Sequence, residues 1–145
     1  MDTIDLTNIR VEPDELVARA AALKPMLRQR QRETERNRRV SDDTVAQMKA
    51  AGLYKVLQPA RFGGYEHDLW TFARCAAEIG AGCGSTAWIY STAAEHQWQI
   101  GMYDDRAQAE VWGDTPEAIS ASSYSPGGTA VETDSGYRVS GKWLY

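Results

Sequence analysis

Apolar residues recur at three- and four-residue steps over roughly the first 110 positions and at every second position afterwards, so helices are predicted first and strands last. A first helix starts at Pro13, a favoured first-turn residue followed by Asp14 and Glu15, which suit the positive end of a helix dipole. Leu16, Ala20, Leu23 and Leu27 give it an apolar stripe, and Pro25 lacks a backbone donor and so kinks or splits it. A second helix opens on Ser41 as N-cap, turns Val45 and Met48 inward and stops at Gly52 in the left-handed region. Positions 53–58 form a short apolar run, and Pro59 with Gly63 and Gly64 marks a loop. Asp68 caps the next helix, with Leu69, Phe72, Ala73, Ala76 and Ile79 on its inner face. The glycine-rich stretch 80–84 breaks it. Ser85 then caps a helix reaching about Met102, and Asp104 with Asp105 caps a short one to Val111 or Trp112. After Pro116 three strands are predicted, at 118–123, 129–133 and 136–145, the last two joined by a hairpin turn at Asp134-Ser135-Gly136.

The fold class expected is therefore α+β, about five helices over 1–115 followed by the opening strands of a sheet over 116–145. The sequence stops at Lys142-Trp143-Leu144-Tyr145, inside a predicted strand, and so reads as the front part of something larger.

Composition narrows the classes of function. Of 145 residues, 43% are hydrophobic and 25% charged, the balance of an ordinary soluble domain. The acidic start, Met1-Asp2-Thr3-Ile4-Asp5, lacks a signal peptide's basic-then-apolar layout, and no apolar run approaches the ~18 residues that span a bilayer. Cys75 and Cys83 lie about 12 Å apart on a continuous helix, beyond disulfide reach, and read as reduced packing residues of a cytoplasmic protein. With no CxxC and two histidines, His67 and His96, no metal site is expected. Charge is uneven. Positions 28–39 hold six arginines and two glutamates, a net of +4 that leaves −8 elsewhere in a chain of total −4. Arg32, Glu35, Arg36 and Arg39 are spaced to pair on a solvated helix, and no aromatics interleave for bases to stack on, so nucleic-acid binding is not expected.

Three groups carry candidate chemistry. His96 shares a helical face with Trp88, Ile89, Thr92, Ala93, Ile100 and Tyr103, where an imidazole either orients or deprotonates a weakly acidic substrate or serves as a core histidine held by a backbone carbonyl. The run 120–128, four serines leading into Pro126-Gly127-Gly128, offers hydroxyls and backbone amides to a polar heterocycle or a phosphate, but equally suits a strand-ending turn. No GxSxG, SxxK, GxGxxG or P-loop pattern is present. The aromatic set Trp70, Trp88, Trp98, Trp112, Trp143 and Tyr145 reads mostly as core, with Tyr145 placed where a strand leads onward.

Six segments together resemble one family: LYKVLQPARFGG (53–64), CGSTAWIY (83–90), HQW (96–98), DRAQAEVWGD (105–114), SSYSPGGTA (122–130) and GYRVSGKW (136–143). From about Asp14 to Tyr145 the chain resembles the N-terminal part of two-component, flavin-dependent aromatic monooxygenases of the acyl-CoA dehydrogenase fold, in particular oxygenase components acting on phenols and secosteroid phenols. The resemblance implies an all-helical N-terminal domain, the start of a central β-domain, and a C-terminal helical bundle that builds a homotetramer. It also implies reduced flavin (FMN or FAD) delivered by a partner flavin reductase, O₂ as co-substrate, and C4a-hydroperoxide chemistry on an aromatic small molecule. On this pattern His96 is the catalytic residue and contacts the phenolic substrate with Ser122 and Trp88, while Ser123, Tyr124 and Tyr145 line the flavin. Two rivals stay open: an acyl-CoA dehydrogenase of the same fold, and a non-catalytic fragment.

Overall fold

The structure, a computed structural model, describes residues 11–143. Six α-helices lie among these residues: α1 (Pro13–Ala22), α2 (Lys24–Asn37), α3 (Asp42–Ala50), α4 (Leu69–Gly80), α5 (Gly84–Gly101) and α6 (Asp105–Trp112). One antiparallel hairpin follows, β1 (Gly128–Thr133) with β2 (Gly136–Gly141).

Local chemistry sets most of the helix ends. Pro25 splits the first predicted helix: α1 ends at Ala22, and the proline sits in the first turn of α2, where its missing N–H costs nothing. Ser41 Oγ accepts the Thr44 N–H at 3.3 Å and Asp68 Oδ1 the Thr71 N–H at 2.8 Å, capping α3 and α4 as expected. Gly52, at φ +77°, leaves α3 through the left-handed region. Ser85 is not the cap of α5, which begins at Gly84 from an extended Cys83, two residues before the predicted cap. α2 ends at Asn37 because Arg38 turns left-handed (φ +50°). Arg39 therefore lies beyond the helix and pairs with Asp42 at 2.5 Å instead of with Glu35.

α1, α4 and α5 pack side by side, with α2, α3 and the 53–58 segment closing the core. Leu16, Ala20, Leu27, Met48, Leu53, Val56, Cys75, Ile79, Tyr90 and Ala94 are sealed there. Each large aliphatic side chain buried in this way contributes roughly 1.5–3 kcal/mol. Of the inner face predicted for α4, Phe72, Ala76 and Ile79 pack on the core as expected, while Leu69 and Ala73 face outward and Thr71 and Cys75 are buried in their place. The tryptophans also depart from expectation. Among the described residues only Trp112 is core, and Trp70, Trp88, Trp98 and Trp143 are all exposed. Aromatic spacing on a helix reports a face; it does not report what covers that face.

The hairpin register pairs Thr133 with Gly136, leaving Asp134-Ser135 as a two-residue loop of the kind predicted. Every residue of both strands is exposed. The strand predicted at 118–123 is not one: the segment runs extended without a partner strand among the described residues.

Candidate functional site

That extended segment crosses the helical domain between α6 and β1, and side chains take the place of a neighbouring strand. Gln58 Nε2 donates to the Pro116 carbonyl at 2.8 Å, Gln97 Nε2 to Ala118 at 3.0 Å, and His96 Nδ1 to Ser120 at 3.2 Å. At the next alternate position, Ser122 Oγ lies 2.6 Å from His96 Nε2. Lys55 holds Glu117, of the opposite parity, by an ion pair at 2.5 Å. From Ala118 onward the period of two is answered by side chains of α5 instead of a sheet, whereas Pro116 and Glu117, held by Gln58 and Lys55, lie in a turn closed by the Ala118 N–H on the Thr115 carbonyl at 2.9 Å.

One contact is fixed in its sense: a carbonyl only accepts, so Nδ1 carries a proton and donates to Ser120, while Nε2 faces the Ser122 hydroxyl. His96 is 5% exposed, whereas Ser122 is open to solvent. A buried imidazole thus reaches the surface through one hydroxyl. The core-histidine reading accounts for Nδ1, which a backbone carbonyl holds, and Nε2 is left to the Ser122 hydroxyl.

The remaining site residues predicted from the sequence are less tightly assembled. Trp88 stands exposed on α5, eight residues and about 12 Å of helix from His96. Tyr124 is exposed, its hydroxyl donating to Glu95 at 3.4 Å beside His96. Ser123 Oγ accepts the Ser125 N–H at 3.4 Å. Tyr145 lies outside the described residues. Among the described residues no backbone carbonyl takes the N–H groups of Ala121, Ser122 or Tyr124. Successive N–H groups of an extended chain point to opposite edges, so Ser122 and Tyr124 present theirs on one edge and Ala121 on the other, beside the exposed Tyr124 ring. A cleft of about 590 Å³ lies elsewhere, between Trp98, Met102 and Tyr103 and the loop bearing Arg61 and His67, and neither His96 nor Ser122 lines it.

Three buried groups are held in their protonated forms. Burial pushes the Cys75 thiol up to about 11 and the Tyr54 hydroxyl up to about 12, and it raises Tyr90 well above its ordinary value. A thiol held protonated in this way packs and does not attack. The sequence reading missed Gln58 and Gln97, although both lie inside quoted segments, because a glutamine carries no signal of its own until its partner is known.

Six α-helices, the fifth of which binds the crossing segment, followed by an antiparallel hairpin, place the chain in the α+β class. Residues 15–113 match the model of the acyl-CoA dehydrogenase N-terminal domain, and the chain belongs to that family. It is 38% identical over 127 residues to the flavin-dependent monooxygenase oxygenase subunit HsaA of Rhodococcus jostii, covering 88% of this chain and 33% of that protein. It is 35% identical over 130 residues to the FADH(2)-dependent resorcinol hydroxylase oxygenase component of a Rhizobium species, covering 90% and 32%. Among solved structures, the HsaA monooxygenase from M. tuberculosis superposes with a TM-score of 0.87 at 37% identity, over 92% of this chain and 36% of that one. The chain spans about a third of the length of the curated relatives it matches.

Proposed function

We propose that the chain forms the N-terminal part of the oxygenase component of a two-component, flavin-dependent hydroxylase acting on a phenol. The observation that carries this reading is the Ser122–His96–Ser120 chain of hydrogen bonds, a buried imidazole presented at the surface through a hydroxyl at 2.6 Å. A phenol reaching Ser122 donates its proton to Oγ as Ser122 passes its own to His96 Nε2. The imidazolium then donates to both Ser122 Oγ and the Ser120 carbonyl, and the phenolate accepts from the Ser122 hydroxyl. Electron density on the ring rises, which favours attack by an electrophilic oxygen, and such positioned proton transfer is worth roughly 10²–10⁴ in rate. Reduced flavin, when bound, supplies the electrons that activate O₂ for insertion into the ring. Ser123 and Tyr124 would hold one side of it, with Tyr145 beyond them, and Trp88 would wall the aromatic substrate. The name of the Rhizobium relative favours FADH₂ over the FMN form. A separate reductase supplies it, the complete assembly is a homotetramer, and the setting is cytoplasmic, in keeping with two buried free thiols.

The test uses the protein as expressed from its own gene, with reduced flavin and a panel of simple phenols. His96→Ala is expected to lower hydroxylation by about 10²-fold and to raise H₂O₂ release. Unchanged coupling in that variant overturns the role of His96. Bleaching of bound flavin by an acyl-CoA, with no phenol turnover, assigns the protein to thioester oxidation instead.

A further inference from the structure

The serine run by itself does not say which serine meets His96. Serines stand at 120, 122, 123 and 125, and a slip of one residue would turn Ser122 away and present Ala121 or Ser123. The hairpin does not prevent such a slip, because its strands bond to each other and every residue in them is exposed. The geometry points to Gln97 and Gln58 as the positioning residues that set this register. They hold the segment at Ala118 and Pro116, so that Ser122 and no other serine stands against His96 Nε2. This inference rests on the phenol-binding reading for its purpose, but its geometry is independent of it.

Both amides are almost completely sealed, Gln97 at 2% and Gln58 at 1% exposure. Gln97 follows His96 directly on α5, so the two side chains leave adjacent positions of one rigid helix and reach alternate residues of the crossing segment. Its amide has one workable orientation, since turning it over would set Oε1 against the Ala118 carbonyl, acceptor to acceptor. Among the described residues the Oε1 atom has no hydrogen-bond partner, and Gln97 borders a cavity of about 10 Å³ shared with Gln58, Tyr54 and Pro116, roughly the room of one water. Gln58 is anchored independently, donating also to the Phe62 carbonyl at 3.2 Å. The segment is thus referred to two fixed points, one on α5 and one on the 53–64 loop. Buried polar groups whose partners sit at single positions are well suited to choosing one register among near-equivalent ones.

Nitrogen-15 NMR of the histidine rings in the 145-residue chain, free of phenol and flavin, tests the idea with His67 as internal control. The unmodified chain is expected to show His96 in one Nδ1–H tautomer, with contacts from the Gln97 side-chain amide protons to residues 118–119 and from those of Gln58 to 116–117. In Gln97→Met, which keeps the volume and removes the donor, His96 is expected to move to a mixture of tautomers while the His67 signals and the helical circular dichroism stay unchanged. Gln58→Met is expected to shift His96 in the same direction to a smaller extent. A single unchanged His96 tautomer in the folded Gln97→Met chain overturns the proposal. Should that variant not fold, absence of the Gln97-to-118 contacts in the unmodified chain overturns it equally. Because no ligand is present, failure here leaves the phenol reading standing, and failure of phenol hydroxylation leaves the register assignment standing.

Discussion

Cys75 and Tyr54 show how single residues couple the core to pH. The Cys75 thiol is pushed up to about 11 and the Tyr54 hydroxyl up to about 12, in both cases by burial. An unfolded thiol ionises near pH 9, so between pH 9 and 11 the unfolded state loses a proton that the folded state keeps. A group whose folded pKa is raised contributes stability that is present in full below its unfolded pKa and is lost as pH rises. The chain is therefore expected to lose on the order of 2 kcal/mol from Cys75 by pH 11, with Tyr54 adding its share above pH 10. Thermal unfolding followed at pH 8, 9.5 and 11 checks this. Cys75→Ala should start lower, from the small cavity it leaves, and fall less steeply. An equal slope would mean that the thiol ionises freely in the folded chain. At His96 the residue scale shows the opposite design. Its ring is buried but fully partnered, each nitrogen having a named atom to serve.

Among the elements, the 53–67 loop does more than connect α3 to α4. It folds back on itself, with the Tyr65, His67 and Glu66 amides donating to Lys55, Val56 and Gln58 at 2.8, 2.8 and 3.1 Å. The fold-back brings Gly64 so close that a Cβ there would stand 1.9 Å from the Gln58 carbonyl oxygen, which is backbone and cannot swing aside. Gly64→Ala is expected to destabilise the chain by about 1–3 kcal/mol, as overpacking generally does, and to displace Gln58 from Pro116. Urea unfolding measures the first effect. Loss of the Gln58-to-116 contacts measures the second, and a Gly64→Ala chain with wild-type stability would show that the loop has slack. α5 is the other organising element. It reaches the core through Tyr90 and Ala94, carries His96 and Gln97 to the crossing segment, and leaves Trp88 and Trp98 exposed.

Across the whole molecule, the helical core is closed while the side bearing Ser122, Tyr124 and the hairpin is open. Ala121, Ser122 and Tyr124 are exposed, so among the described residues a cofactor laid along the 121–124 segment would be covered on one side only. The 145-residue chain on its own is accordingly expected to bind neither oxidised nor reduced flavin at micromolar concentration. A stoichiometric fluorescence titration would refute this and show that the described half of the site is sufficient. The exposed aromatic residues of α4 and α5 and the solvent-facing hairpin should also make the chain associate as concentration rises, which light scattering detects.

The order of elements, the caps at Ser41 and Asp68, the split at Pro25, the left-handed exit at Gly52 and the two-residue hairpin loop were all legible in the sequence. Each is decided by a residue and its immediate neighbours: a side-chain oxygen within one turn, a missing N–H, a missing Cβ. His96 and Ser122 were legible as candidates because few side chains titrate near neutrality and the family pattern placed a serine nearby. What the sequence could not decide were relations across long separations. The chain at 118–123 has the periodicity of a strand, yet only tertiary packing determined that its partners are glutamine and histidine side chains of a helix. Aromatic spacing gave the faces on which the tryptophans lie, and packing alone decided that only Trp112, among those described, is buried. Gln58 and Gln97 gave no sign beforehand, because an amide acquires meaning from the group it meets, and here those groups are 58 and 21 residues away.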